Sequence, residues 1–191
     1  MTRTTWADTT KEQFNQERYD RDAMSKLMDR LTQFVIHIKA RPVAQRLNQS
    51  LNFPIKATEV EKVLVILPRD LHLLDRASIF VQSLRKTYPG WRIELFDVDK
   101  LGESELNHVH LPKPNVIQKL KSAHYQFVLD LNEQFDHLTG FITLMTEAPY
   151  RLHIQNEGSF FYNIVYQPQS SDRGVYFEPL LNYLRKLFVK N

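Results

Sequence analysis

Apolar positions along the chain change rhythm twice. Residues 1–16 are polar, contain no aliphatic cluster and are expected to form a flexible N-terminus. From about Glu17 a helical period sets in: Met24, Leu27, Met28, Leu31, Phe34, Val35 and Ile38 recur at three- and four-residue steps. Pro42 can open a new helical segment or kink this one, and Val43 to Leu51 continues the pattern. Asn52-Phe53-Pro54 then breaks it. Residues 17–58 therefore read as a helical extension placed before the main domain.

The second rhythm is that of a sheet. Lys62-Val63-Leu64-Val65-Ile66-Leu67 is a short, continuous, branched apolar run, as expected of a strand buried on both faces of a parallel sheet. Pro68-Arg69-Asp70 ends it, and Leu74, Ala77, Ile79, Phe80, Val81 and Leu84 suit a covering helix stopped by Tyr88-Pro89-Gly90. Trp91 to Asp97 alternates as a second strand, Val116 to Leu120 suits a short helix or strand, and Gln126 to Leu131 predicts a further buried strand. Phe135 to Met145 predicts a helix, Tyr150 to Ile154 a strand, and Leu180 to Val189 a closing amphipathic helix. Strand and helix alternating at this spacing predict an α/β fold: a Rossmann-like, three-layer domain with a mostly parallel sheet over residues 59–191.

Composition changes this picture mainly by exclusion. Hydrophobic residues make up 42% and charged residues 25% of the 191, as in an ordinary globular chain. There is no cysteine, which excludes disulfides, thiolate–metal sites and cysteine nucleophiles and fits a reducing compartment. No apolar run approaches the roughly 20 residues needed to span a bilayer, and Met1 to Thr10 carries no signal-peptide core. The expectation is a cytoplasmic protein, with peripheral contact at the inner face of the membrane as the one membrane association left open. The net charge of +3 is too small to imply nucleic-acid binding, and none is expected. Its placement is uneven: residues 1–50 hold 9 basic and 6 acidic side chains, against 16 of each in the remainder. From residue 30 to residue 58 there is no acid at all, while Arg30, Lys39, Arg41, Arg46 and Lys56 occur there.

Candidate chemistry is sparse. Nothing resembles the glycine-rich dinucleotide or P-loop motifs, the zinc-protease helix motif or the serine elbow. The first strand-to-helix connection, Pro68 to Asp75, has no glycine to let backbone N–H groups approach a phosphate, so no cofactor is expected. Arg69, Asp70, His72 and Asp75 lie at the carboxyl end of a strand, where open α/β folds bind ligands, and are candidate ligand-binding residues. The plain alternative is that they cap the helix and solvate the loop. His108-Val109-His110 lacks a third ligand at matching spacing, so no metal site is expected. The aromatic group running from Tyr150 to Tyr183 lacks interleaved basic residues and reads as packing. Leu31, Phe34, Val35, Ile38, Lys39, Arg41 and Arg46 form an amphipathic, acid-free stretch suited to a partner or an anionic membrane surface, with packing on its own domain as the alternative.

Several segments of the core carry a family resemblance. Val63 to Ile66, and then Ser83-Leu84-Arg85-Lys86-Thr87-Tyr88-Pro89-Gly90-Trp91-Arg92-Ile93, resemble the opening of the family 9 glycosyltransferases, the lipopolysaccharide heptosyltransferases. His124 to Asn132 is similar to that family's "YDxVIDLQ" strand, which adds Asn132 to the candidate ligand-binding residues. Leu138 to Met145, followed by Ala148 to Leu152, resembles its next helix and strand, and Phe160 to Asn163 is similar as well. The resemblance spans roughly residues 60–166 and implies the N-terminal half of the GT-B plan. Two departures accompany it. The given chain ends at Asn191, where the donor-binding domain would be starting. The family's first loop also carries a Gly-Asp pair whose aspartate is the expected general base, and His72-Leu73 stands at that pair here. Leucine cannot accept a proton, so no catalytic residue is expected unless a rebuilt loop brings Asp70 or Asp75 into the role. The resemblance thus implies a stand-alone, degenerate glycosyltransferase-like domain serving as a non-catalytic binding or assembly subunit, with a protein partner or a second copy. The alternatives are a glycosyltransferase component that needs another chain for donor binding, and a peripheral membrane adaptor.

Overall fold

Two apolar strands, β2 (Lys62–Ile66) and β4 (Phe127–Asp130), lie side by side and in parallel at the centre, because between Lys62 at the start of β2 and the buried Asp130 at the end of β4 their residues are all apolar. The structure, a computed structural model, describes residues 26–28, 30–47, 51–155, 160–169 and 175–190; the expected flexible stretch 1–16 lies outside them. The described elements run in the order α1 (26–28 and 30–46), β1 (Ile55–Lys56), β2, α2 (Leu74–Thr87), β3 (Arg92–Phe96), α3 (Pro114–Ser122), β4, α4 (His137–Met145), β5 (Tyr150–Ile154), β6 (Ile164–Tyr166), α5 (Phe177–Leu187) and β7 (Phe188–Val189).

Five strands form one fully parallel sheet in the order β3-β2-β4-β5-β6. The chain moves outward from β2 to β3, returns to β4 on the other side, and continues through β5 to β6. This places a topological switch point between β2 and β4. The predicted α/β, Rossmann-like three-layer architecture is the one observed. Val65 and Val128, in the two central strands, are both fully buried.

The two faces of the sheet are covered separately. Val63, Val65, Phe127, Leu129 and Leu152 point to the side closed by α2 and α5, which supply Ala77, Phe80, Val81, Leu84, Leu180 and Leu184. Leu64, Ile66 and Val128 point the other way, towards Val116 and Leu120 of α3 and Ile142 of α4. The strand β3 has an exposed side, with Arg92, Glu94 and Leu95 open to solvent, as suits an edge.

Three features differ from the sequence expectation. Val116 to Leu120 resolves into helix α3, opened by Pro114, whose missing N–H costs nothing in a first turn. The sheet gains a fifth strand, β6, whose three residues are too few to show a period. The closing helix starts three residues earlier than expected and stops at Leu187, because Phe188 and Val189 instead pair in parallel with β1.

Helix α1 passes through Pro42 without ending and packs on the outer surface of α4. Ile36 and Ala40 are fully buried there beside Phe141, Leu144, Met145 and Phe161. Every residue of α4 from Thr139 to Met145 is consequently buried, which explains why that helix is apolar all round.

Candidate functional site

At the switch point the loops leaving β2 and β4 diverge and leave a crevice of about 290 Å³ at the carboxyl ends of the strands. It is lined by Pro68, Arg69, Asp70 and Leu73 from the first loop and by residues 132–136 from the second. Two larger depressions lie along α5: one of about 660 Å³ between α5 and the end of the edge strand β6 at Tyr166, and one of about 640 Å³ walled mainly by α2 and α5 side chains; neither reaches the switch point. The crevice is the place where backbone ends, polar side chains and the fold's own topology converge.

Asn132 joins the two loops. Its backbone N–H donates to Asp130 Oδ1 at 3.0 Å and its Nδ2 to the same oxygen at 2.7 Å. Its Oδ1 accepts the backbone N–H of Arg69 at 2.9 Å. A single buried amide thus fixes the first loop against the end of the neighbouring strand. Beneath it, Asp130 is fully buried and accepts the Tyr162 hydroxyl through its other oxygen, which also lies 3.6 Å from Nδ1 of the buried His153. Burial, and then the Asp130 carboxylate, push the Tyr162 phenol well above its ordinary range, so it stays a proton donor to that carboxylate. Phe135 in the crevice wall sets its ring edge against the rings of His153 and Tyr162, connecting the opening to this buried group.

Arg69 spans the mouth. Its Nε and Nη2 donate to Asp99 Oδ1 at 2.9 and 2.8 Å, and its Nη1 lies 3.5 Å from Asp136 Oδ2. The hydrogen bond to Asp99 raises the guanidinium pKa, with Asp136 adding to it against partial desolvation. Asp136 in turn caps α4 by accepting the Thr139 N–H at 3.1 Å. Asp70 caps the short turn Leu71–Leu73 by accepting the His72 N–H at 3.0 Å.

Of the ligand-binding residues expected from the sequence, the crevice gathers Arg69, Asp70 and Asn132. His72 and Asp75 are exposed and do not line it. Leu73, standing at the expected base, is buried with its side chain in the crevice wall. The residues that sequence reasoning missed are Glu133, Gln134, Phe135 and Asp136, and behind them Asp130, His153 and Tyr162. A signal for the first four existed: a polar run begins directly after an apolar strand, the same arrangement that drew attention to the first loop. Among the described residues, no group of three or more His, Asp or Glu side chains is placed to hold a metal ion.

The contact residues expected on α1 divide. Leu31, Phe34, Ile38, Lys39 and Arg41 are exposed, and Val35 is half-buried against the domain. Arg46 is ion-paired with Glu147, which also holds Lys121 at 2.9 Å. No described helix is long and apolar enough to cross a membrane. No protein-family profile, curated protein or solved structure matches the chain.

Proposed function

We propose that the chain is a non-catalytic binding or assembly subunit built on a glycosyltransferase-like domain. The observation that carries this reading is how the polar groups at the switch point are used. Arg69 is held between Asp99 and Asp136, while Asp136 and Asp70 each cap a helical turn. Leu73, which the resemblance sets at the expected base, is buried. A general base must be within hydrogen-bond reach of its proton and free to take it, and these carboxylates are spent on holding loops. What remains is a small, polar, pre-formed crevice that can accept a ligand without transforming it.

Incubation of the purified chain with a panel of nucleotide sugars tests this, with release of free nucleotide as the readout. The expected result is no release above a blank. Sustained turnover that Asp70→Asn abolishes would overturn the reading in favour of the transferase component, since Asp70 is the one crevice carboxylate on the loop where the base is expected.

A further inference from the structure

We infer that the outward face of α1 is a docking seam for an acidic amphipathic helix on another protein. Leu27, Leu31, Phe34 and Ile38 follow one another at steps of four, three and four residues, and they are 56%, 44%, 65% and 59% exposed. They lie almost diametrically across the helix from Ile36 and Ala40, which are fully buried on α4. The Thr32 hydroxyl, 2.9 Å from the Met28 carbonyl of its own helix, also lies 3.1 Å from the Val109 carbonyl on the domain side. The inner face is thus already committed to the domain, and the outer apolar row is not the one that completes the core. Alternating steps of three and four make a narrow seam of the kind a second helix packs against, about 17 Å long at about 1.5 Å per residue. A lipid surface takes a broader apolar face than this.

Charge selects among the helices that fit. Arg30 and Arg41 are exposed on the flank of the row, Arg41 standing one step further in the same rhythm, and Lys26 and Lys39 are exposed further round. Asp29 is the one acid in the sequence between residues 23 and 58, against five basic residues from Lys26 to Arg46. A second copy of this helix would set arginine against arginine, in parallel register placing Arg41 on Arg41. A helix with glutamates beside its apolar seam meets both the shape and the charge. The inference rests on the assembly reading above, and the two fail separately. Turnover of a nucleotide sugar would remove that reading and leave the seam standing, whereas loss of peptide binding without turnover would remove only the seam.

The test uses the full chain and two labelled synthetic peptides of about four heptads, with leucine at both seam positions and either glutamate or lysine on the flanks. Fluorescence anisotropy should show saturable binding of the glutamate peptide, at least about tenfold tighter than the lysine peptide and weakened by salt. Leu31→Ser with Phe34→Ser should lose that binding at unchanged melting temperature, since both side chains are exposed. Arg30→Glu with Arg41→Glu should reverse the preference between the peptides. Failure to bind, or equal affinity for both peptides, would overturn the inference. So would a dimer in light scattering that the serine variant dissolves, which would assign the seam to a second copy. Sedimentation with phosphatidylserine vesicles without peptide binding would assign it to a membrane instead.

Discussion

Arg151 shows how much a single side chain can hold in this molecule. It is nearly fully buried in β5, and no carboxylate pairs with it among the described residues; its Nε donates to the Phe161 carbonyl at 2.9 Å and its Nη1 to the Ala148 carbonyl at 2.6 Å. Desolvation lowers its pKa to about 10, which still leaves it charged at neutral pH. The planar fork reaches two carbonyls that a lysine cannot serve together. Arg151→Lys is therefore expected to cost about 1.5–3 kcal/mol, the worth of one hydrogen bond to a charged group, read as a lower denaturant midpoint. Glu147 gives a pH dependence. Burial pushes its carboxyl up, but Lys121 and Arg46 outweigh this and hold the pKa below its ordinary value of 4.5. A carboxyl depressed by folding contributes stability above its unfolded pKa and loses it as pH falls through the folded one. Melting temperature should thus fall more steeply below about pH 4.5 in the native chain than in Glu147→Gln, and equal slopes would deny the clamp any energetic role.

At the scale of elements, α4 carries the tightest constraint. Gly140 sits mid-helix, where alanine would ordinarily be favoured by about 1 kcal/mol. A Cβ there would come within 3.0 Å of the Phe161 ring and 3.1 Å of Phe135, two rings stacked on each other over the helix. Gly140→Ala is consequently expected to lower the melting temperature despite its better helix propensity; a rise would show that the rings can move aside. The same elements show what was legible in the sequence. Val63 to Ile66 announces itself because a strand buried on both faces needs an unbroken apolar run, and Tyr150 to Ile154 shows instead through the alternation of Tyr150, Leu152 and Ile154 with Arg151 and His153. Ile164 to Tyr166 does not, because three residues carry no period, and β1 and β7 hold two each. Half of the crevice was legible for the same reason: Arg69 and Asp70 follow an obvious strand. The buried group of Asp130, His153 and Tyr162 was not, since its members lie on separate stretches of chain that meet only once the sheet has formed.

For the whole molecule, the question is whether α1 is an appendage or a layer. Its sequence favours the first answer, because Leu27, Leu31, Phe34 and Ile38 dominate the pattern and draw attention away from the thinner inner row of Ile36, Ala40 and Val43. The packing favours the second. Removing residues 1–50 would uncover Phe141, Leu144, Met145 and Phe161 together, and would release Glu147 from Arg46. An apolar patch of that kind on a free surface is an aggregation site. Yet β1 to α5, with both faces of the sheet covered, would remain intact. A chain starting at residue 51 is therefore expected to keep its helix and strand content by circular dichroism. It should bind an apolar dye, melt at lower temperature and aggregate as its concentration rises. Replacing the outer row alone, as in the serine variant of Leu31 and Phe34, should do none of this. A truncated chain that stays monomeric at the native melting temperature would make α1 an addition to the fold, held on for its partner only. Aggregation of the truncated chain beside an undisturbed serine variant would assign the inner row to stability and leave the outer row for binding.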